Sequence, residues 1–128
     1  MAEAALVEAD IEAGRELVRA LDDAGFPVTG AAWIHYSDVD EWRLVIRTPK
    51  AAQNLLEALR DVRQVMDARG DLRDRLDLAR VKLVPPSDRL LQAMGRMVHV
   101  SGVSPVRFSR NVVEGMYIGD AVIYRLAA

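Results

Sequence analysis

The chain has 128 residues, 51% of them apolar, and it contains no cysteine. The apolar fraction excludes general disorder, and the lack of thiols excludes disulfides, cysteine nucleophiles and thiolate metal sites. A net charge of −2 argues against wholesale nucleic-acid binding. We therefore expect a single domain over residues 1–128, large enough to bury a hydrophobic core without covalent staples.

Compartment and charge distribution follow from the same sequence. No apolar run approaches the roughly 20 residues of a membrane span, and the acidic N-terminus lacks the basic region of a signal peptide. We expect a cytoplasmic, soluble protein without a membrane partner. Residues 1–80 carry 11 basic and 16 acidic side chains, whereas residues 81–128 carry 6 and 3. This asymmetry favours an anionic ligand near the C-terminal third, although acidic residues on exposed helix faces would give the same totals.

The first predicted element is an amphipathic helix over residues 3–24, ended by Gly25, with Pro27 preventing its continuation. Its apolar stripe would face the core or a second copy of the chain. A β-hairpin follows, with strands over residues 28–36 and 41–48 that are rich in β-branched and aromatic residues. The helix stripe consists of Leu6, Val7, Ile11, Gly14, Leu17, Val18 and Leu21.

A second helix is predicted over residues 49–69, with Thr48 as its N-cap and Pro49 at its first position. The charged residues 71–77 predict a loop or a single helical turn, and a short strand follows over residues 79–84. Ser87 is expected to cap a third helix. The predicted buried stripes are Ala52, Leu55, Leu56, Leu59, Val62 and Met66 in the second helix, and Leu90, Leu91, Met94, Met97 and Val98 in the third.

The last stretch, residues 106–126, mixes β-branched apolar residues with Tyr and Arg, and it predicts two strands around a turn at Glu114–Gly115. The element order α-β-β-α-β-α-β-β predicts an α+β domain with one mixed five-stranded sheet. Three helices should pack mainly on one face of that sheet. A bare sheet face would have to be polar, bind a ligand or pair with a second copy, and we therefore expect a homo-oligomer.

Catalytic and metal-binding motifs are missing from the sequence. His35 and His99 lie on different elements without ligand spacing, so we predict no metal and no cofactor. Neither a nucleophile elbow nor a phosphate loop is present, and Ser109, between Arg107 and Arg110, has no indicated base. An assembly of His35 with an Arg and a Tyr into a metal-independent RNA-cleaving site is an alternative interpretation.

The strongest local signal is a polar row in the C-terminal strands. In an extended strand Arg107, Ser109 and Asn111 share one face, and forked guanidinium donors with hydroxyl and amide groups suit a phosphate or carboxylate. Such residues are also common on ordinary half-solvated sheet faces. The candidate ligand-binding residues are Arg107, Ser109, Arg110, Asn111, Tyr117, Asp120 and Tyr124.

Two stretches, LDDAGFPVTGAAWIHYSDVDEWRLVI and FSRNVVEGMYIGDAVIYRL, resemble an uncharacterised family of small bacterial α+β proteins with no established function. The shared order is a helix ending at an A-G-F-P step, a Trp-containing hairpin and a Tyr-rich C-terminal strand pair, which together span most of the chain. This resemblance implies a self-contained domain and assigns no catalytic residues. Many of these proteins carry Glu at the position of Gly119, so an acidic pair with Asp120 is missing here.

These observations favour a small cytoplasmic bacterial binding or interaction module that self-associates or serves as an accessory subunit of a larger complex. Its partners would be a second copy, another protein or a small anionic ligand. The alternative is a metal-independent enzyme or binder that acts on nucleotides or RNA through the C-terminal Arg/Tyr/Asn face. Few aromatic residues are available for base stacking, which disfavours nucleic acid.

Overall fold

The computed structural model describes residues 5–101, 105–109, 112–113, 116–117 and 120–126. Five strands of the described chain form one mixed sheet in the order β3-β2-β1-β7-β4, and two short strands form a separate antiparallel pair, β5-β6. The predicted α+β class with a mixed five-stranded sheet is confirmed. The strands are β1 (Gly30–Tyr36), β2 (Glu41–Arg47), β3 (Val81–Val84), β4 (Val106–Ser109), β5 (Val112–Val113), β6 (Met116–Tyr117) and β7 (Asp120–Leu126).

Helices cover both faces of the sheet unequally. Apolar side chains from α1, α3 and α4 pack into one buried cluster against the sheet, and those of α5 pack into a second cluster on the opposite side. We call these sides the α1 face and the α5 face. No helix in the described ranges is long and apolar enough to cross a membrane. The helices are α1 (Glu8–Asp23), α2 (Lys50–Gln53), α3 (Leu55–Asp67), α4 (Leu72–Arg75) and α5 (Arg89–Met97).

Strand pairing follows the predicted order in one crossover and departs from it in the other. β1 pairs antiparallel with both β2 and β7, and β2 pairs parallel with β3 after the crossover through α2, α3 and α4. The second predicted parallel crossover, through α5, is not present, because β4 pairs antiparallel with β7 at the opposite edge from β3. Because β7 lies beside β1, β4 occupies the edge of the sheet next to β7.

The first helix is shorter than predicted and begins at Glu8 rather than at residue 3. Val7 is its N-cap and is 53% exposed, so its assignment to the buried stripe is wrong. The rest of the stripe packs against the sheet, and Leu17, Val18 and Leu21 have no exposed surface. The apolar face of α1 is therefore part of the core rather than an open surface for a second copy.

The predicted second helix is broken at Asn54. This residue takes an extended conformation, with φ −158° and ψ 99°, and its side-chain Oδ1 accepts a hydrogen bond from the backbone N–H of Glu57 at 3.1 Å. It therefore ends α2 and caps α3. Because the chain turns here, Ala52, Leu55 and Leu56 are exposed, and their assignment to the buried stripe is wrong.

Smaller corrections concern the boundaries of β3 and α5. The strand begins at Val81, because Leu78–Arg80 forms a 3-10 turn after the predicted single helical turn of α4. Asp88 rather than Ser87 caps α5, since its carboxylate accepts from the N–H of Leu91 at 3.1 Å. The helix ends at Met97, which is exposed rather than buried. The predicted turn at Glu114–Gly115 lies outside the described residues, between the antiparallel strands β5 and β6.

Candidate functional site

The structure describes only part of the predicted C-terminal site. Arg107 and Asp120 are exposed, and Tyr124 is fully buried. For Ser109 and Tyr117 the backbone alone is described, on β4 and β6. The predicted residues that lie outside the described ranges are Arg110 and Asn111.

Pairing of β4 with β7 brings three of these positions to one edge of the sheet. Arg107 pairs with Val122, and Ser109 pairs with Asp120. Directly opposed residues of an antiparallel ladder point to the same face. Because Val122 belongs to the cluster under α1, the positions of Arg107, Ser109 and Asp120 all belong to the α1 face. The two described positions of the predicted polar row, 107 and 109, therefore lie on that face of the edge strand.

Tyr124 lies away from this surface, inside the core beneath α1. Its hydroxyl donates a hydrogen bond to the backbone carbonyl of Ile11 at 2.5 Å and accepts one from Trp33 Nε1 at 3.1 Å. Burial raises the pKa of the Tyr124 phenol far above its ordinary value, more than the Trp33 hydrogen bond lowers it. The Tyr124 hydroxyl thus acts as both a hydrogen-bond donor and an acceptor. The side chain joins α1 to β1 and β7 and has no exposed surface.

The two histidines have different surroundings in the structure. His35 is 2% exposed, its Nε2 lies 2.8 Å from Asp40 Oδ1, and its ring lies 5.3 Å from that of Trp42. Asp40 takes a left-handed conformation with φ 49° in the hairpin turn. His99 is exposed and follows the end of α5. Within the described ranges, no cluster of three or more His, Asp or Glu side chains is arranged to hold a metal ion.

A groove of about 530 Å³ lies between the end of α1 and α3, which is a volume typical of small-molecule sites. Its charged side chains already pair with one another. Lys50 Nζ lies 3.0 Å from Asp61 and 5.3 Å from the centre of the Phe26 ring, and Arg69 lies 2.7 Å from Asp23. The groove is therefore lined by apolar side chains and by charged side chains that form ion pairs with one another.

Among the described residues, an exposed apolar surface lies at the start of α3. Leu55 is 48% exposed and Leu56 is 59% exposed, and Leu59, one turn later, is half-buried. Residues three and four positions apart on a helix are neighbours, so these three side chains are contiguous. We call them the leucine patch.

Arginines border the leucine patch on its exposed side. Arg60 follows Leu56 by four residues, and Arg63 follows Leu59 by four, so both lie next to the leucines along the helix. Neither has a carboxylate within ion-pair distance among the described residues. Several other arginines do, as in the pair of Arg73 with Asp67. The patch thus presents leucines beside positive charge that no carboxylate of the described ranges pairs with.

Sequence reasoning missed this surface, although a local signal for it exists. Asn54 followed three residues later by Glu57 is a helix-start pattern, because a short polar side chain caps the third N–H of the helix. Interpreted as a helix start, the Asn54–Glu57 pattern predicts a helix that begins at Leu55. It therefore separates Leu55 and Leu56 from the apolar stripe predicted for the residues before them.

Comparison of the chain with protein-family models, with curated proteins and with solved structures finds no match in any of the three.

Proposed function

We propose that the protein is a small interaction module of the bacterial cytoplasm, an accessory subunit that binds an acidic amphipathic helix of a partner protein on the leucine patch. The observation that carries this proposal is the exposure of Leu55 and Leu56 on an otherwise amphipathic helix. A partner helix with apolar residues at i, i+3 and i+4 would cover these side chains, which is a common mode of peptide recognition.

Burial of the leucines supplies the affinity. Full burial of a Leu side chain stabilises by about 1.5–3 kcal/mol, and roughly half of that remains to be gained at each exposed leucine. Two such residues therefore contribute on the order of 2 kcal/mol, before the contacts that surround them are counted. This magnitude suits a weak or transient contact, which then depends on charge for its specificity.

Charge favours an acidic partner over a second copy of the chain. Arg60 and Arg63 would face carboxylates on an acidic helix, with mutual attraction. In a two-fold contact centred on Leu56 the same arginines of both copies would approach one another, and like charges repel. Self-association through α1 is also disfavoured, because its apolar stripe is buried in the core.

The test uses a fluorescein-labelled helical peptide with leucines on one face and glutamates on the other, and a matched peptide with lysine at every glutamate. We expect saturable binding of the glutamate peptide and no binding of the lysine peptide, measured by fluorescence anisotropy. The double variant Leu55→Ser with Leu56→Ser should weaken binding at least about tenfold, which is about 1.4 kcal/mol. Reversing the charge with Arg60→Glu and Arg63→Glu should transfer binding to the lysine peptide.

Val39→Ser is the matched control, because Val39 is 56% exposed on the β1–β2 turn, outside the leucine patch. It should leave peptide binding unchanged. Equal binding of the two peptides, or equal weakening by Val39→Ser, would contradict the proposal. So would a dimer in light scattering that Leu55→Ser with Leu56→Ser converts to monomer, because the patch would then belong to a second copy.

The same residues give a prediction about stability. Leu56→Ser should change the free energy of unfolding by less than about 0.5 kcal/mol, as exposed substitutions usually do. Met66→Ala, in the same helix but with no exposed surface, should cost about 2–5 kcal/mol. Urea unfolding measures both, and a large loss in Leu56→Ser would mean that the leucine patch is part of the core.

A further inference from the structure

The groove between the end of α1 and α3 lies on a different side of α3 from the leucine patch, because its α3 residues follow another stripe of the helix. That stripe has the spacing i, i+3, i+4 and i+7, and its residues are Asp61, Gln64, Val65 and Ala68. The opposite wall is formed by the end of α1 and the turn after it, at residues 20 and 23–26. The groove is therefore a space between two helices that the proposed helix-binding surface does not use.

Apolar residues line the deeper part of this groove. Ala20 is buried, Phe26 is 5% exposed, and Val65 is half-buried. Ala24 and Ala68 are exposed at the opening and carry only a methyl group, so the space between the helices stays open to solvent. A ligand in the groove would cover this apolar surface, and removal of apolar surface from water favours binding.

Two helix C-termini meet at one end of the groove. Arg69, two residues after the end of α3, lies 2.7 Å from Asp23, which is the last residue of α1. A helix has a partial negative charge at its C-terminus, and neither helix holds a basic residue in its last turn. Since the charges of Arg69 and Asp23 cancel, the two helix termini leave this end of the groove negative. It therefore favours a cationic group of a ligand.

Lys50 lies at the other end of the groove. Its Nζ is 3.0 Å from an Oδ of Asp61 and 5.3 Å from the centre of the Phe26 ring. An ammonium group has three donors, so Lys50 can bind a ligand carboxylate while it keeps its contact with Asp61. This end lacks the two helix C-termini, and an anionic group is therefore better placed here than beside Asp23. Asp61 precedes Ala68 by seven residues, which sets the two ends about 10 Å apart along α3.

We infer that this groove binds a short apolar peptide with free termini, two or three residues long. Its ammonium group would lie beside Asp23 and the helix C-termini, and its carboxylate would bind Lys50. An extended tripeptide spans at most roughly 10 Å, which matches the separation of the two ends. Gln64 lies between them, three residues after Asp61, and its side-chain amide can bond a peptide group of the ligand. The site goes beyond the proposed helix-binding function and shares no residue with the leucine patch.

Charge and length set this ligand apart from simpler ones. A ligand with a single net charge would be attracted at one end of the groove and gain nothing at the other. A single amino acid carries both charges, but its length is roughly a third of the distance between the two ends. We therefore expect affinity to depend on both termini and on their separation.

The experiment titrates alanyl-leucyl-alanine into the protein by isothermal titration calorimetry. Three related compounds are titrated in parallel: the same tripeptide with an amidated C-terminus, the same tripeptide with an acetylated N-terminus, and free leucine. The unmodified tripeptide should bind with a stoichiometry of one. Each of the other three should bind at least about fivefold more weakly, a modest factor because the charged partners in the groove are partly exposed.

Two variants test which terminus lies at which end. Lys50→Gln should weaken the unmodified tripeptide about fivefold and leave the affinity for the amidated form unchanged, because that form has no carboxylate to lose. Asp23→Asn should act in the same way on the unmodified and the acetylated forms. Arg73→Gln is the matched control, since it breaks the exposed ion pair of Arg73 with Asp67 outside the groove and should leave all affinities unchanged.

Ala68→Trp tests the space itself. Ala68 is exposed at the opening, so a large side chain there should occupy the groove without entering the core, and it should abolish tripeptide binding. Leu55→Ser with Leu56→Ser should leave tripeptide binding unchanged, so this site and the leucine patch are tested separately. No binding of the unmodified tripeptide, equal binding of its capped forms, or unchanged binding in Ala68→Trp would overturn the inference.

Discussion

Gly14→Ala is expected to destabilise the protein by about 2–3 kcal/mol, although Ala is normally about 1 kcal/mol better than Gly inside a helix. A Cβ at position 14 would lie 2.5 Å from the Tyr124 hydroxyl oxygen and 2.7 Å from Trp33 Nε1. Both rings are fully buried and cannot move aside without displacing their neighbours. Overpacking of this kind costs about 1–3 kcal/mol, and separating the two rings also costs their hydrogen bond.

A double variant separates the close approach from a general effect of position 14. Tyr124→Phe removes the oxygen that the new Cβ would meet first, so Gly14→Ala should cost less in the Tyr124→Phe background than in the parent. We expect a coupling energy of about 0.5–3 kcal/mol from the four unfolding curves, as for other contacting pairs. Strictly additive effects, or a Gly14→Ala variant as stable as the parent, would show that α1 does not approach the sheet as closely as the structure has it.

The fold was largely predictable because its elements obey simple periodicities. The apolar stripe of α1 and the alternation in β2 need no tertiary information, and the β-α-β passage after β2 predicts the parallel pair of β2 with β3. The predicted helix boundaries were wrong where a single polar side chain determines the end of a helix. Asn54 divides a helical pattern that is otherwise continuous, and Asp88 competes with Ser87 as a cap, so periodicity alone could not locate either end.

The candidate sites were less predictable, because burial depends on which elements cover a face. Tyr124 follows a strand pattern that fits either a surface or a core position, and only the placement of α1 over β7 buries it. Strand order is also not given by local patterns. β4 lies next to β7 rather than next to β3, and the face of the sheet to which Arg107 belongs follows from that pairing.

Alkaline pH should destabilise the protein through Tyr124. The phenol has an ordinary pKa of about 10 in the unfolded chain, and burial raises its pKa well above that value in the native state. Above about pH 10 the unfolded state therefore releases a proton that the native state retains, and the free energy of unfolding falls as pH rises. For one such group the slope reaches about 1.4 kcal/mol per pH unit, whereas below about pH 10 the contribution is fully present.

Urea unfolding between about pH 9 and 12, a range that brackets the ordinary tyrosine pKa, measures this slope directly. Tyr124→Phe should lose about 1–3 kcal/mol at neutral pH, because the Trp33 N–H loses its acceptor. Its stability should nevertheless fall less steeply than that of the parent at high pH. Tyr36→Phe is the matched control, since burial also raises the pKa of the half-buried Tyr36, and we expect it to reduce the slope by a smaller amount. An unchanged slope in Tyr124→Phe would mean that this hydroxyl is hydrated in the native state, and the hydrogen bonds joining α1 to the sheet would then have to be open to water.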